Sequence, residues 1–167
     1  MINKKSAEHL PKGALVEQKE MFRIIFENSP SAITVTDAHE CIVAWNHMAE
    51  KMFEMGQKDL FNKPVKELYS EQEWARIRSM GIREKGMLSD IVTKIIRRDG
   101  TVLDVNASIS VLKDGAGKII GSIGILYDIS KQKLVEQELV QAKLTQRKLI
   151  TLRVYSWPKC RTKCVRR

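Results

Sequence analysis

The sequence predicts an α+β domain: a helix, a strand hairpin, a group of short helices and a three-stranded meander, in that order. Three observations carry this. After Gly86 the apolar period changes from helical to strand-like. Two turn sequences, "RRDGT" and "KDGAGK", cut the segment after Gly86 into strand-length runs, because Asp-Gly tolerates positive φ. On the middle run Leu103, Val105, Ala107, Ile109 and Val111 alternate with polar residues, so one face is apolar and the other is polar.

Each element reflects a local pattern. "ALVEQKEMFRIIFENSP" puts Leu15, Phe22, Ile25 and Phe26 on one helical stripe and stops at Asn28-Ser29-Pro30, as helices do before proline. "SAITVTD" and "CIVAWN", separated by a polar turn, read as a hairpin of two short strands. Asn46 caps the helix "HMAEKMFEM", which is expected to stop at Gly56. Short helices continue through "KDLFNKPVKELYS" and "EQEWARIRSMGIREK". From Ser130, a cap, runs an uninterrupted helix in which Val135, Leu139, Ala142 and Leu149 form a short coiled-coil seam, broken by polar Gln146.

Charge separates body from tail. Of 29 Lys and Arg, nine lie in residues 143–167, which contain no acid; the first 142 residues therefore carry 20 basic and 20 acidic side chains. A neutral body argues against a nucleic-acid-binding domain, so no nucleic-acid partner is expected. No apolar run approaches the roughly 18 residues of a membrane helix, and the N-terminus lacks a secretory apolar stretch. With three dispersed cysteines, Cys41, Cys160 and Cys164, the expectation is a cytoplasmic protein without a membrane contact. There is no Gly-rich phosphate loop, no nucleophile beside a base and no carboxylate cluster at metal-binding spacing. No catalytic or metal-ligating residue is assigned, and the chain is not expected to be an enzyme.

This order of elements resembles the PAS sensor domain over about Met21 to Ser130. The likeness rests on "AWNHMAEKMFEMG", with Asn46, Ala49 and Gly56, on "RRDGT" between the long strands, and on "GSIGILYDISKQK", similar to the closing D-I-T of that family and its signalling helix. The resemblance implies a five-stranded antiparallel sheet with small helices over one face, flanked by N- and C-terminal amphipathic helices. It also implies a small-molecule pocket and homodimers formed through the flanking helices. The expected boundaries are residues 1–20 as leader and helix start, 21–130 as the domain, 131–150 as the signalling helix, and 151–167 as a basic tail.

The resemblance also assigns residues. Ile33, Val35, Trp45, Phe53, Val105, Ala107, Ile123 and Ile125 are expected to line the pocket. Asp128, Ile129 and Ser130 are the expected relay into the exit helix, and Phe22, Ile25, Val135 and Leu139 the expected dimer contacts. The cofactor is left open, but two types are set aside. Flavin light sensors of the family carry an adduct-forming Cys in G-x-N-C-R-F-L-Q, whereas the stretch here is "GQKDLFNKPVKEL", which excludes that adduct. Histidine-ligated haem is disfavoured because "EQEWARIRSMGIREK" has no His. His39 in a turn and His47 at a helix start read as surface histidines, and Cys41 as a small buried apolar side chain.

Cys160 and Cys164 supply only two thiolates, too few for a structural zinc site. Reading the same message one nucleotide upstream from Arg153 allows S-(I/L/V)-F-L-A-K-M-S-H-E-V-R-T-P, with its Ala forced where Trp157 meets Pro158. That string resembles the phosphoacceptor box of sensor histidine kinases. The expectation is a sensory module from the input region of such a kinase, with residues from about Leu149 or Thr151 onward out of frame. The rival from another class is a standalone dimeric regulator whose tail, with Tyr155 and Trp157 among its cations, binds DNA or an acidic partner.

Overall fold

The computed structural model describes residues 12–155. Two units are distinguished among them, one ending at Ile129 and the other beginning at Ser130. The tail beyond Tyr155, with Trp157, Cys160 and Cys164, lies outside the described residues, as does the leader before Lys12.

The first unit opens with helix α1 (Lys12–Glu27), followed by strands β1 (Ala32–Asp37) and β2 (Ile42–Trp45). Helices α2 (His47–Phe53) and α3 (Gln57–Leu60), a 3-10 turn (Val65–Leu68), α4 (Glu71–Ser79) and α5 (Ile82–Lys85) come next. Strands β3 (Met87–Ile96), β4 (Val102–Lys113) and β5 (Ile119–Asp128) complete it. All five strands form one antiparallel sheet in the order β2-β1-β5-β4-β3, so the last strand is central and pairs with the first.

Local rules account for most boundaries. α1 ends before Pro30, and the Asn28 side chain donates to Ile24 O at 2.9 Å. α2 ends earlier than the expected Gly56: Glu54 takes the left-handed conformation at φ 57, while Gly56, at φ −94, is the extended residue just before α3. The break between α4 and α5 falls at Gly81, whose φ of +69 suits a residue without Cβ. In "KDGAGK" the left-handed position is Gly117 at φ +83, not the Gly of the Asp-Gly pair.

The core lies between one sheet face and the small helices. Phe53, Ile42, Leu60, Ile95 and Val105 are fully buried there, with Leu68 and Leu126 nearly so. Each such side chain contributes about 1.5–3 kcal/mol by leaving water. α4 is tied to the sheet by polar contacts: Thr93 Oγ1 donates to Glu73 at 2.7 Å, and Arg76 donates both to Glu73 at 2.7 Å and to Val92 O at 2.8 Å.

Asn46 joins three elements. It is fully buried, and its Oδ1 accepts from the amides of Ile33 and Ala49, each at 3.0 Å. Its Nδ2 donates to Phe26 O at 3.0 Å and to Ser31 O at 2.9 Å, which uses both amide hydrogens. One side chain thus caps α2 and fixes both the end of α1 and the start of β1. Glu27 adds a second cap, accepting from His47 N–H at 3.1 Å.

The second unit is helix α6 (Ser130–Tyr155). Leu134, Val135, Leu139, Val140 and Leu144 are exposed along it. Among the described residues no helix is long and apolar enough to cross a membrane.

Candidate functional site: a cavity between sheet and helices

A cavity of about 90 Å³ lies between the helix-side face of the sheet and α4, α5 and the 3-10 turn. Strand parity determines its floor. In the β1–β5 register Thr34 faces Gly124 and Thr36 faces Ser122, and these four residues share the face of Ala32 and Leu126. From β4 come Ala107 and Ile109, paired with Leu126 and Gly124. The floor is small and hydroxylated on one side, with Thr36 Oγ1 and Ser122 Oγ 2.7 Å apart, while Leu68, Ile77 and Ile109 make apolar walls. Gly121 permits the close approach of β1 and β5, since a Cβ there would lie 2.0 Å from Thr36 O.

At the rim stand Glu40, Arg78 and Arg83. Both guanidinium groups converge on Glu40 Oε1, with Arg83 at 2.9 Å, and Arg78 also lies over the Trp74 ring at 5.7 Å from its centroid. Glu40 makes these contacts from a left-handed backbone conformation, φ 66, in the β1–β2 turn. Asp37 also lines the cavity, but its Oδ1 accepts from the amides of His39 and Cys41 within its own turn. Tyr69 packs beside Trp74, and burial, aided by the nearby Glu73 charge, pushes its phenol up to about 12.

The expected pocket residues and the lining of this cavity overlap little. Of the eight residues named from the sequence, only Ala107 lines this cavity. Ile33 pairs with Ile125, and Val35 with Ile123, on the opposite face of the sheet, because they alternate with the inward Thr34, Thr36, Ser122 and Gly124. Val105 and Phe53 are fully buried in the core outside the cavity. Trp45 packs against the core edge, its indole N–H donating to Glu50 at 2.9 Å. Sequence reading missed the rim, although two arginines five apart on short helices facing the first hairpin were its available signal.

The residues expected to form the relay lie where strand passes into helix: Asp128 ends β5, the Ile129 amide donates to Asp104 O at 3.1 Å, and Ser130 begins α6. Phe22 and Ile25 are exposed on α1, and with Ile33 and Ala44 they border a shallow concavity on the outer sheet face. Val135 and Leu139 are exposed on α6. His39 and His47 are exposed; Cys41 is half-buried rather than buried, bridging Pro64 just before β2. Among the described residues no group of three or more His, Cys, Asp or Glu could hold a metal.

The profile of the family described as "PAS fold" matches residues 20–129. The chain belongs to the PAS family, and this part of it is a sensory and signalling domain. Solved structures agree on the fold. A PAS domain from Colwellia psychrerythraea is 21% identical, with a TM-score of 0.62, over 70% of this chain and 98% of that one. A PAS domain from a two-component sensor histidine kinase is 17% identical, with a TM-score of 0.59, over 69% and 98%. A PAS domain of a LuxR-family transcriptional regulator from Burkholderia thailandensis, in complex with ethanol, is 19% identical, with a TM-score of 0.55, over 65% and 97%. No curated protein matches the sequence.

Proposed function

We propose that this chain is a ligand-responsive PAS module in which a small molecule in the sheet–helix cavity biases the exit helix. The observation that carries this is continuity: Gly121, Ser122, Gly124 and Leu126 of β5 line the cavity, and the same strand runs through Asp128 and Ile129 directly into α6. A ligand changes output only by binding two arrangements of that junction with different affinity. The cavity size favours a small ligand over a flavin or porphyrin, and the description of one PAS domain of the same fold in complex with ethanol supports that reading.

The output is read as that of a two-component histidine kinase. Support comes from the shifted-frame string with its phosphoacceptor-like His and from the presence of such a kinase among the proteins of the same fold.

A thermal-shift ligand screen on wild type and Ala107→Leu tests the sensory reading. Ala107 is 1% exposed and faces the cavity, so the larger side chain occupies ligand space. A true ligand at 100 times its Kd stabilises wild type by about 2.7 kcal/mol and the filled variant by much less. Equal stabilisation of both would place the ligand elsewhere. No ligand at all would leave a purely structural dimerisation module.

A further inference from the structure

At the rim of the cavity two cations, Arg78 and Arg83, meet one anion, Glu40. Arg78, Arg83 and Glu40 have side chains 42%, 51% and 30% exposed, so the cavity meets solvent there. Two guanidinium groups share a single oxygen of one carboxylate. Each guanidinium offers five N–H donors in a planar fork suited to a carboxylate, and one shared oxygen leaves most of both forks unused. Asp37, the other acid of the lining, accepts through Oδ1 from the amides of its own turn and keeps its negative charge, so the lining as a whole holds two cations and two anions, with Asp37 turned to its own backbone.

Behind the rim the chemistry reverses. Leu68, Ile77 and Ile109 present hydrocarbon, and the Thr36 and Ser122 hydroxyls share one hydrogen bond. A second charge carried inward would be desolvated without a partner. A cation would meet two arginines at the rim. The volume, about 90 Å³, is below the roughly 150 Å³ of an apolar cavity that holds benzene, which limits the buried part to about three to five carbons.

We propose that the ligand is a short-chain monocarboxylate, its carboxylate seated on Arg78 and Arg83 beside Glu40 and its alkyl tail in the cavity. The proposal rests on the cavity being the ligand site, and it adds the chemistry of that ligand. Glu40 then acts as a partial surrogate that holds the two arginines at the rim until the ligand's anion joins it.

The test is calorimetric titration of the full chain with valerate, 1-pentanol and inorganic phosphate, repeated on the Arg78→Gln/Arg83→Gln double variant and on Glu40→Gln. Valerate should bind saturably, about tenfold or more tighter than 1-pentanol, and phosphate should not bind. The double variant should lose about tenfold or more in valerate affinity while keeping that for 1-pentanol. Glu40→Gln, which removes the competing negative charge while its Oε1 can still accept from both arginines, should tighten valerate. Equal binding of valerate and 1-pentanol, or unchanged valerate affinity in the double variant, overturns the carboxylate assignment while leaving the cavity as a ligand site. Phosphate binding as tightly as valerate overturns the role of the tail. If neither valerate nor 1-pentanol binds, the proposal and the reading of the cavity fall together.

Discussion

Asn46→Asp changes one side-chain nitrogen to oxygen at a position whose side chain makes four hydrogen bonds. The two acceptor contacts, to the amides of Ile33 and Ala49, survive because a carboxylate oxygen also accepts. The two donor contacts do not: an oxygen would face the carbonyls of Phe26 and Ser31 at the present 3.0 and 2.9 Å. Asn46 is fully buried, so water cannot replace the lost donors without opening the α1–β1 corner. Each buried group left unpaired costs about 1–3 kcal/mol, which sums to about 3–5 kcal/mol here when the repulsion is included. Against the about 5–15 kcal/mol total of a typical domain, that is a large fraction. Urea denaturation of the full chain at neutral pH should show the loss, and thermal melts should show Tm lower by on the order of 15 °C. The deficit should shrink in mildly acidic buffer, because a protonated carboxyl regains one donor. A variant within about 0.5 kcal/mol of wild type at neutral pH would refute the hub role assigned to this residue.

Gly121→Ala should destabilise by about 3 kcal/mol or more, or prevent folding, because its Cβ would sit 2.0 Å from Thr36 O and must part β1 from β5; circular dichroism melts measure this. Arg76 first, then Thr93, hold the Glu73 carboxyl below the usual carboxylate range. The stability it contributes is therefore full above its unfolded pKa and lost as pH falls through the lowered folded value, and Glu73→Gln should remove that part of the acid limb of the urea midpoint. A polar residue at Leu139, or Ile129→Gly, is expected to loosen self-association in light scattering. Unchanged association in both would take the helix out of the interface.

Much of the architecture was legible because it is written in short-range pattern. Pro30 stops α1, Asn46 caps α2, and the strand periods after Gly86 yield β3, β4 and β5, all from interactions within a few residues. The cavity was not legible in the same way. Ile33, Val35, Ile123 and Ile125 were expected to line the pocket, yet they occupy the face of the sheet opposite this cavity. The rim was missed for a related reason. Glu40 lies 38 residues from Arg78 and 43 from Arg83, and no local rule links them.

The sequence by itself determined the kinds of element, their order and their turns, since backbone sterics, capping and side-chain alternation act over single turns of chain. Only the tertiary structure decided that β5 lies between β1 and β4, and therefore which face of each strand looks toward the helices. A strand with small or polar residues on one side and isoleucines on the other is consistent with either orientation. Long-range pairing selects one, and in doing so it puts Thr34, Thr36, Ser122 and Gly124 under the helices, where their small volume leaves space for a ligand.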